Sequence, residues 1–472
     1  MTSRKNTFHQ FTVRYVLPLV DYLLLWLCLF LYLKIFNPYT THYKFGLVRF
    51  GVYLVILFGV WAGYSYVFNL NKVSQSGRVR LMIVSVMSVS FFTALSYFFI
   101  PFISPDFPKT RQPAFLFVIC MLLFPLIWRL VYAWLFSFPI LEKRVLIVGG
   151  GIKATEFTAL FLENKLIYNR NRLRILGYID DAIEKNTTVY KNLKVIGGHD
   201  LLLKYARRLK ADTVILAVRS KESIEANLYN ELLNCKATGI EIIYANDLLE
   251  EETGMIQVMK RDDKFYLSYD YITGQASRLY LLITAVMNFT IGAIGTIIFI
   301  AFIPLVWLLN FAGNKGPLFY SQKRVGLHGK EFTITKFRSM VPDAEKHSGA
   351  VWASQNDTRI TPLGKFYRKT RIDELPQFLS VFRGEMYIIG PRPERQVFVD
   401  KLSHTIPFFN MRHLAKPGIT GWSQVNMRYA NDETASLEKL KYDLYYIKYR
   451  SFFLDLQIVL KTIGVMLKFK GN

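Results

Sequence analysis

The chain has 472 residues, too many for one ordinary domain, with 52% hydrophobic residues, 15% aromatic residues and a formal charge of +24. That apolar content argues against a soluble enzyme, and the positive charge asks for anionic partners such as lipid headgroups or phosphates. Nucleic acid is set aside because the basic residues are scattered around apolar runs, and Cys28, Cys120 and Cys235 form neither a disulfide framework nor a metal spacing.

A bilayer core about 30 Å thick needs roughly 20 apolar helical residues. Four runs meet that requirement within residues 1–140: Val16–Phe36, Phe50–Leu70, Leu81–Phe102 and Ala114–Phe138. The first is long enough to span and is followed by no small-residue cleavage site, so it reads as a span and not a signal peptide. Arg4, Lys5 and Arg14 precede it, Lys72, Arg78 and Arg80 follow the second run, and Lys143 and Arg144 follow the fourth. The positive-inside rule then places both ends of a four-helix transmembrane bundle in the cytoplasm. Asp21 and Arg129 are ionisable groups within spans, read as an interhelical polar contact or as snorkelling near an end.

Over residues 143–264 the texture changes. Arg144–Val148 is β-branched, Gly149-Gly150-Gly151 opens a predicted helix to Leu162, and short strands are expected at Ile175–Ile179, Thr213–Val218 and Ile240–Ile243. Strands alternating with helices imply a Rossmann-like α/β domain with a parallel sheet. The spacing G-x-G-x-x-A fits a dinucleotide turn, and Asp180 and Asp181 end the next strand somewhat later than the usual acidic position. No hydride-transfer site follows, so the turn binds a regulatory ligand or nothing.

Residues 276–472 start with an uncharged segment from Leu279 to Asn314, longer than one span needs and interrupted by Pro304. Basic residues flank both ends: Lys260, Arg261, Lys264 and Arg278 before, Lys315, Lys323, Arg324 and Lys330 after. A re-entrant helix that enters, bends near Pro304 and returns to the cytoplasmic side is expected, with a fifth span as the alternative. At the far end, Leu437–Lys470 interleaves Tyr442, Tyr445, Tyr446, Tyr449, Phe452 and Phe453 with bases, which fits a membrane interface and plain core equally.

Between them lie KFRSM (336–340), RKTRIDELPQ (368–377), RGEM (383–386), GPRPE (390–394) and KPGITGWSQVN (416–426). Each base alone is a solvated surface residue; together Lys336, Arg338, Arg368 and Arg392 form a set able to clamp phosphate oxygens. Asp373 and Glu374 are the exceptions in this basic neighbourhood, either a solvated face or a site. On a helix, neighbours project about 100° apart, so they are not one symmetric acid/base pair. They suit two separate jobs: a carboxylate that attacks phosphorus, and a carboxylate that holds Mg²⁺ beside substrate phosphates.

These motifs, in this order behind an apolar segment, resemble the bacterial sugar transferases, and more narrowly the large monotopic phosphoglycosyl transferases that begin exopolysaccharide, capsule or O-antigen (lipopolysaccharide) synthesis. The resemblance implies four spans, a Rossmann-like middle domain, a re-entrant membrane helix and a mainly α-helical monotopic catalytic domain, in the bacterial inner membrane with that domain on the cytoplasmic side. It implies transfer of a hexose-1-phosphate from a UDP-sugar to undecaprenyl phosphate, releasing UMP. By motif, Asp373 matches the nucleophile, Glu374 the Mg²⁺ ligand, and Lys336, Arg368 and Arg392 basic residues of the active site. Arg428 stands where the family reads Gln-Val-Asn-Gly-Arg and binds nucleotide, but Met427 replaces the glycine here. The helix reads Ile303-Pro304 where the family often has Ser-Pro, and Ser277–Leu281 lacks the family's acid. The expected partners are the UDP-sugar, undecaprenyl phosphate and membrane lipid, with a homo-oligomer left open. Two other classes compete: a membrane-anchored nucleotide sensor working through the middle domain, and a scaffold for other glycosyltransferases.

Overall fold

The computed structural model describes residues 16–36, 46–68, 70, 79–99, 111–136, 143–163, 173–218, 225–256, 258, 276–314, 316–342, 344, 357–427 and 432–467. The chain forms two compact units, Met1–Thr253 and Gly254–Asn472.

The first unit begins with four apolar helices, α1 (Leu17–Phe36), α2 (Gly46–Val67), α3 (Val79–Phe99) and α4 (Arg111–Phe136). They pack through aromatic pairs: Tyr22 on Phe58, Tyr32 on Phe117, and Tyr97 on Phe117. Asp21 and Arg129, both buried, form an ion pair between α1 and α4, with Arg129 Nε 3.3 Å from Asp21 Oδ1. The pair is the interhelical contact expected of two charges among apolar side chains, since neither has water to turn to. Two described helices are long and apolar enough to cross a membrane, the part of α4 from Phe115 to Trp134 and, in the second unit, the helix from Arg278 to Phe311; the described apolar stretches of α1 to α3 are shorter.

A six-stranded sheet follows, in the order β3-β4-β2-β1-β5-β6. Its strands are β1 (Lys143–Val148), β2 (Leu173–Ile179), β3 (Thr188–Tyr190), β4 (Leu193–Gly197), β5 (Thr213–Leu216) and β6 (Glu241–Tyr244). All neighbours are parallel except the short β3–β4 pair. Alternation along β1 sends Val145 and Ile147 to one face, under α5 (Ile152–Glu163), and Leu146 and Val148 to the other, under α6 (Leu202–Arg208) and α7 (Ala226–Ala237). Both faces are covered, which is why the central strands are continuously apolar over Val145–Val148 and Val214–Leu216. Helix α8 (Ala245–Thr253) closes the unit. The glycine turn follows β1, at the switch point between β1 and β5, but Gly150 N donates to Asp180 Oδ2 at 2.6 Å. The amide that a phosphate would use is thus already matched by a carboxylate of the same domain.

The second unit is arranged around α9 (Arg278–Gly313), a single 36-residue helix, roughly 54 Å long at 1.5 Å per residue. Ser277 caps its start, accepting from Tyr280 N at 3.1 Å. One face of α9 is exposed and apolar, including Leu282, Phe289, Ile297, Trp307 and Phe311. The opposite face carries the rest of the unit along its whole length. Tyr280 donates to Asp455 at 2.7 Å, Asn288 Oδ1 accepts from Ile388 N at 2.7 Å, and beyond the C-terminus Asn314 Nδ2 donates to Arg338 O at 2.8 Å.

The closest approach is to α11 (Gln377–Phe382). A Cβ on Gly292 would lie 2.7 Å from Phe382 N and 2.9 Å from its Cα, and one on Gly295 would enter the Phe378 ring. On an open helix Gly→Ala stabilises by roughly 0.5–1 kcal/mol. Here it must push two backbones apart, so Gly292→Ala is expected to destabilise by roughly 1–3 kcal/mol. A lower thermal midpoint in detergent is the expected result; a higher one contradicts this packing.

The remaining elements are the β7 (Phe319–Val325)/β8 (Glu331–Phe337) hairpin, α10 (Pro362–Thr370), β9 (Tyr387–Ile389), α12 (Gln396–Thr405), β10 (Gly418–Thr420), α13 (Trp422–Asn426), α14 (Glu433–Tyr449) and α15 (Phe452–Leu467). Tyr442, Tyr446 and Phe453 are buried, and Leu440, Leu444 and Ile447 join a core with Val325, Val399 and Leu402. The aromatic stripe of α14 is therefore core in its buried members. Ile256 and Val258 belong to the same cluster.

Candidate functional site

Local sequence explains how the acids are presented. Thr361 caps α10, accepting from Gly364 N at 3.0 Å, and Pro362 occupies the first turn, where a missing N–H costs nothing. Tyr367, fully buried, seats α10 on α9 together with Phe299, Val306 and Phe337. The helix ends at Arg371 in the left-handed conformation, φ 60° and ψ 16°. A non-glycine residue holds that conformation at a cost of about 1–2 kcal/mol, and it breaks the helix so that Ile372–Glu374 form a tight 3₁₀ turn. The turn points both carboxylates inward: Asp373 is 6% exposed and Glu374 8%. The pair is not a solvated helix face.

Glu374 is enclosed by cations from three separate segments. Its Oε1 accepts from Lys336 Nζ at 3.0 Å and from Arg392 Nη2 at 3.1 Å, and Arg371 Nη1 lies 3.4 Å from Oε2. Burial alone would raise its pKa; Lys336, Arg392 and Arg371 outweigh that and hold the carboxyl well below the usual range. Asp373 differs. Its Oδ1 is buried and accepts no hydrogen bond from any described residue. Burial, then the neighbouring Glu374 charge, push its pKa up to about 6, against the pull of Lys336, Arg368 and Arg371. The two acids are thus electrostatically unequal, one a neutralised anchor and the other an under-coordinated oxygen.

The structure brings Lys336, Arg392, Asp373 and Glu374 into one cluster. Arg368 stands beside it, donating from Nε to Ser339 Oγ at 2.9 Å. Arg338 is placed differently: it is buried, and its Nη2 donates to the Asn314 carbonyl, tying β8 to the end of α9. Arg428 lies outside the described residues. Arg371 contacts Glu374, a role its i,i+3 spacing could have signalled but that sequence reasoning left it without. Arg392 arrives on the loop of residues 390–394, which is packed backbone to backbone. Gly390 N donates to Thr420 O and Gly418 N to Pro391 O, each at 2.9 Å. A Cβ on Gly390 would meet the Lys416 carbonyl, so the glycines of both motifs serve this close approach.

Among the described residues no three His, Cys, Asp or Glu side chains converge. The donor set at the acid pair is two adjacent carboxylates: Asp373 has an unsatisfied buried oxygen, whereas both oxygens of Glu374 face cations that an ion there would have to displace. That set fits a hard cation such as Mg²⁺, which takes one or two carboxylates and completes its shell from phosphates and water. It does not fit an ion that needs an all-protein cage.

If the Asp373 carboxylate must be ionised to act, kcat/KM rises with pH through about 6 and levels above it. A pH–rate profile flat down to pH 5 contradicts that role.

A family model described as bacterial sugar transferase matches residues 279–469. The chain is 36% identical over 259 residues, 55% of its own length and 60% of the relative's, to a UDP-N-acetylgalactosamine-undecaprenyl-phosphate N-acetylgalactosaminephosphotransferase of Aeromonas hydrophila. It is 45% identical over 144 residues (30% of this chain, 80% of the relative) to a putative undecaprenyl-phosphate N-acetylgalactosaminyl 1-phosphate transferase of Bacillus subtilis. A UDP-glucose:undecaprenyl-phosphate glucose-1-phosphate transferase of Klebsiella pneumoniae shares 31% over 278 residues, 57% of this chain and 56% of that protein. The chain thus spans little more than half of the first and third of these relatives, and the family model's match contains the acid pair. It belongs to the bacterial sugar transferase family.

Proposed function

We propose that the protein moves a hexose-1-phosphate from a UDP-sugar to undecaprenyl phosphate, releasing UMP, through a covalent intermediate on Asp373. The observation that carries this reading is the buried, unpartnered Asp373 Oδ1 set among Lys336, Arg368, Arg371 and Arg392. In the first half-reaction a carboxylate oxygen of Asp373 forms a bond to the sugar-bearing phosphorus, and the phosphoanhydride bond breaks with its electron pair leaving on UMP. In the second, a phosphate oxygen of the polyprenyl phosphate attacks that phosphorus and Asp373 leaves as the carboxylate. Lys336, Arg368 and Arg392 bind and orient the phosphates, with the arginines able to do so bidentately. Glu374 would hold Mg²⁺, which when bound neutralises diphosphate charge that would otherwise repel the attacking carboxylate.

The reading places the protein in the bacterial inner membrane as a multi-pass chain, with α1 to α4 as a four-span bundle and the catalytic unit on the cytoplasmic side, at the first membrane step of surface polysaccharide synthesis. Support for a re-entrant α9 comes from its contacts. A helix crossing the bilayer would leave its aqueous domain at one end, whereas α9 is bonded to its own unit at Tyr280, Asn288 and Asn314, from one end to the other. Cysteines at Lys330 and at Lys143, each in a chain lacking the native three, are both expected to resist an impermeant thiol reagent in intact cells. Labelling at the first position alone replaces this topology by a fifth span.

The reaction is tested by offering purified protein a panel of UDP-sugars with undecaprenyl phosphate and Mg²⁺ and following UMP. Release of UMP with one or a few sugars is the expected result. Failure with every sugar, by protein whose fold is intact, overturns the assignment.

A further inference from the structure

We propose that Arg412 is a positioning residue that fixes the backbone of Arg392 and thereby sets its guanidinium at the acid pair, an inference resting on the reaction proposed above. Arg392 lies between Pro391 and Pro393, neither of which has an N–H to tie the loop down. The carbonyls on either side are held by backbone amides, Pro391 O by Gly418 N and Glu394 O by Val325 N, each at 2.9 Å, and the carbonyl of Arg392 itself is held by a side chain. Arg412, 2% exposed on the 3₁₀ segment Phe409–Leu414, donates from Nη2 to the Arg392 carbonyl at 2.9 Å and to Asp443 Oδ2 at 2.8 Å. Asp443 is 1% exposed and is fixed in turn by Ser423 Oγ, 2.7 Å from its Oδ1.

The same guanidinium reaches the other end of the loop, with Nη1 3.9 Å from Glu394 Oε1. Glu394 also takes Lys439 and faces Arg324 Nη1 at 4.0 Å, and although burial favours its neutral form, these cations hold its pKa down to about 2. Arg392 is thereby bracketed by a buried ionic assembly that touches neither Asp373 nor Glu374. Removing one member of a buried ion pair strands the other, so such an assembly is costly to maintain for stability alone. Its geometric consequence is specific: it immobilises the one loop residue whose side chain reaches Glu374. A phosphate-binding group displaced by about 1 Å costs on the order of 10²-fold in rate.

A double-mutant cycle separates positioning from general stability. Arg412→Lys keeps the charge beside Asp443 but loses the rigid plane, stacked on Phe409, that aims Nη2 at the carboxylate and the Arg392 carbonyl while turning Nη1 toward Glu394. It is expected to lower kcat/KM for the UDP-sugar by roughly 10- to 100-fold when Arg392 is present. In an Arg392→Ala background the same change is expected to matter less than about twofold, because the group it positions is gone. Asp443→Asn, which retains Arg412 and a hydrogen-bonding partner, runs the same cycle should the lysine variant fail to fold. Equal losses in both backgrounds overturn the proposal while leaving the reaction assignment standing. So does an Arg392→Ala enzyme that transfers at the unmodified rate. A wild-type protein that transfers no sugar phosphate fails the reaction itself, which the first arm of the cycle registers before any variant is compared.

Discussion

Asp373→Asn is expected to reduce sugar phosphate transfer by at least roughly 10³-fold, the scale on which removing a covalent nucleophile acts. The substitution keeps the shape of the side chain and removes only its capacity to ionise and attack. Stability is expected to move the other way. A folded pKa of about 6, above the unfolded value of 3.8, means that the ionised carboxylate is disfavoured by the fold. That cost begins near the unfolded pKa and is complete above about pH 6. At pH 7.5 the Asn variant should therefore be at least as stable as the wild type, by something on the order of 1–3 kcal/mol. An inactive, more stable variant is the signature of a residue kept for chemistry. Normal transfer in membranes lacking a competing enzyme removes Asp373 from the mechanism.

Glu374→Gln carries the second large effect, with the opposite sign on stability. Its carboxylate is the common acceptor of Lys336, Arg392 and Arg371. Neutralising it removes the carboxylate that the three cations share and leaves Asp373 beside them as a partial counter-charge, so the cost falls below the roughly 3–5 kcal/mol of a fully buried broken pair. Because its folded pKa is depressed, the contribution is fully present above the unfolded value of 4.5 and is lost as pH falls below that. The Gln variant should accordingly be both inactive and less stable at neutral pH, and the stability gap to wild type should narrow toward pH 3. A variant as stable as wild type at pH 7.5 would mean that the three bases are not held by this carboxylate.

The two acids thus part company along lines that the sequence only half contains. Adjacent Asp and Glu in a basic neighbourhood signal a site; the 100° expected between α-helical neighbours is replaced by the roughly 120° of a 3₁₀ turn, which still points them apart. Which acid is the anchor is a matter of what surrounds it. That depends on Lys336 and Arg392 arriving from segments 38 and 18 residues away, a distance that no local pattern encodes. The parallel sheet and the apolar helices were legible because both rest on periodicity and run length, short-range properties of the chain. The antiparallel β3–β4 pair was not, since its strands are three and five residues long and carry little apolar pattern. Arg338 read as a phosphate clamp by residue type, yet burial against the end of α9 commits its Nη2 to a carbonyl there. Arg412 and Asp443 stand 31 residues apart in segments with no motif character, and only the fold makes them a pair.

The covalent step is the claim on which the rest depends, and intact-protein mass analysis tests it directly. Enzyme incubated with a UDP-sugar and Mg²⁺ in the absence of polyprenyl phosphate, then quenched, should gain the mass of one hexose phosphate with UMP released in equal amount. Proteolysis should place that mass on the peptide containing Asp373, and addition of undecaprenyl phosphate before quenching should clear it. UMP release that requires the acceptor, with no mass gain at any time point, would show direct transfer in one step and contradict the account.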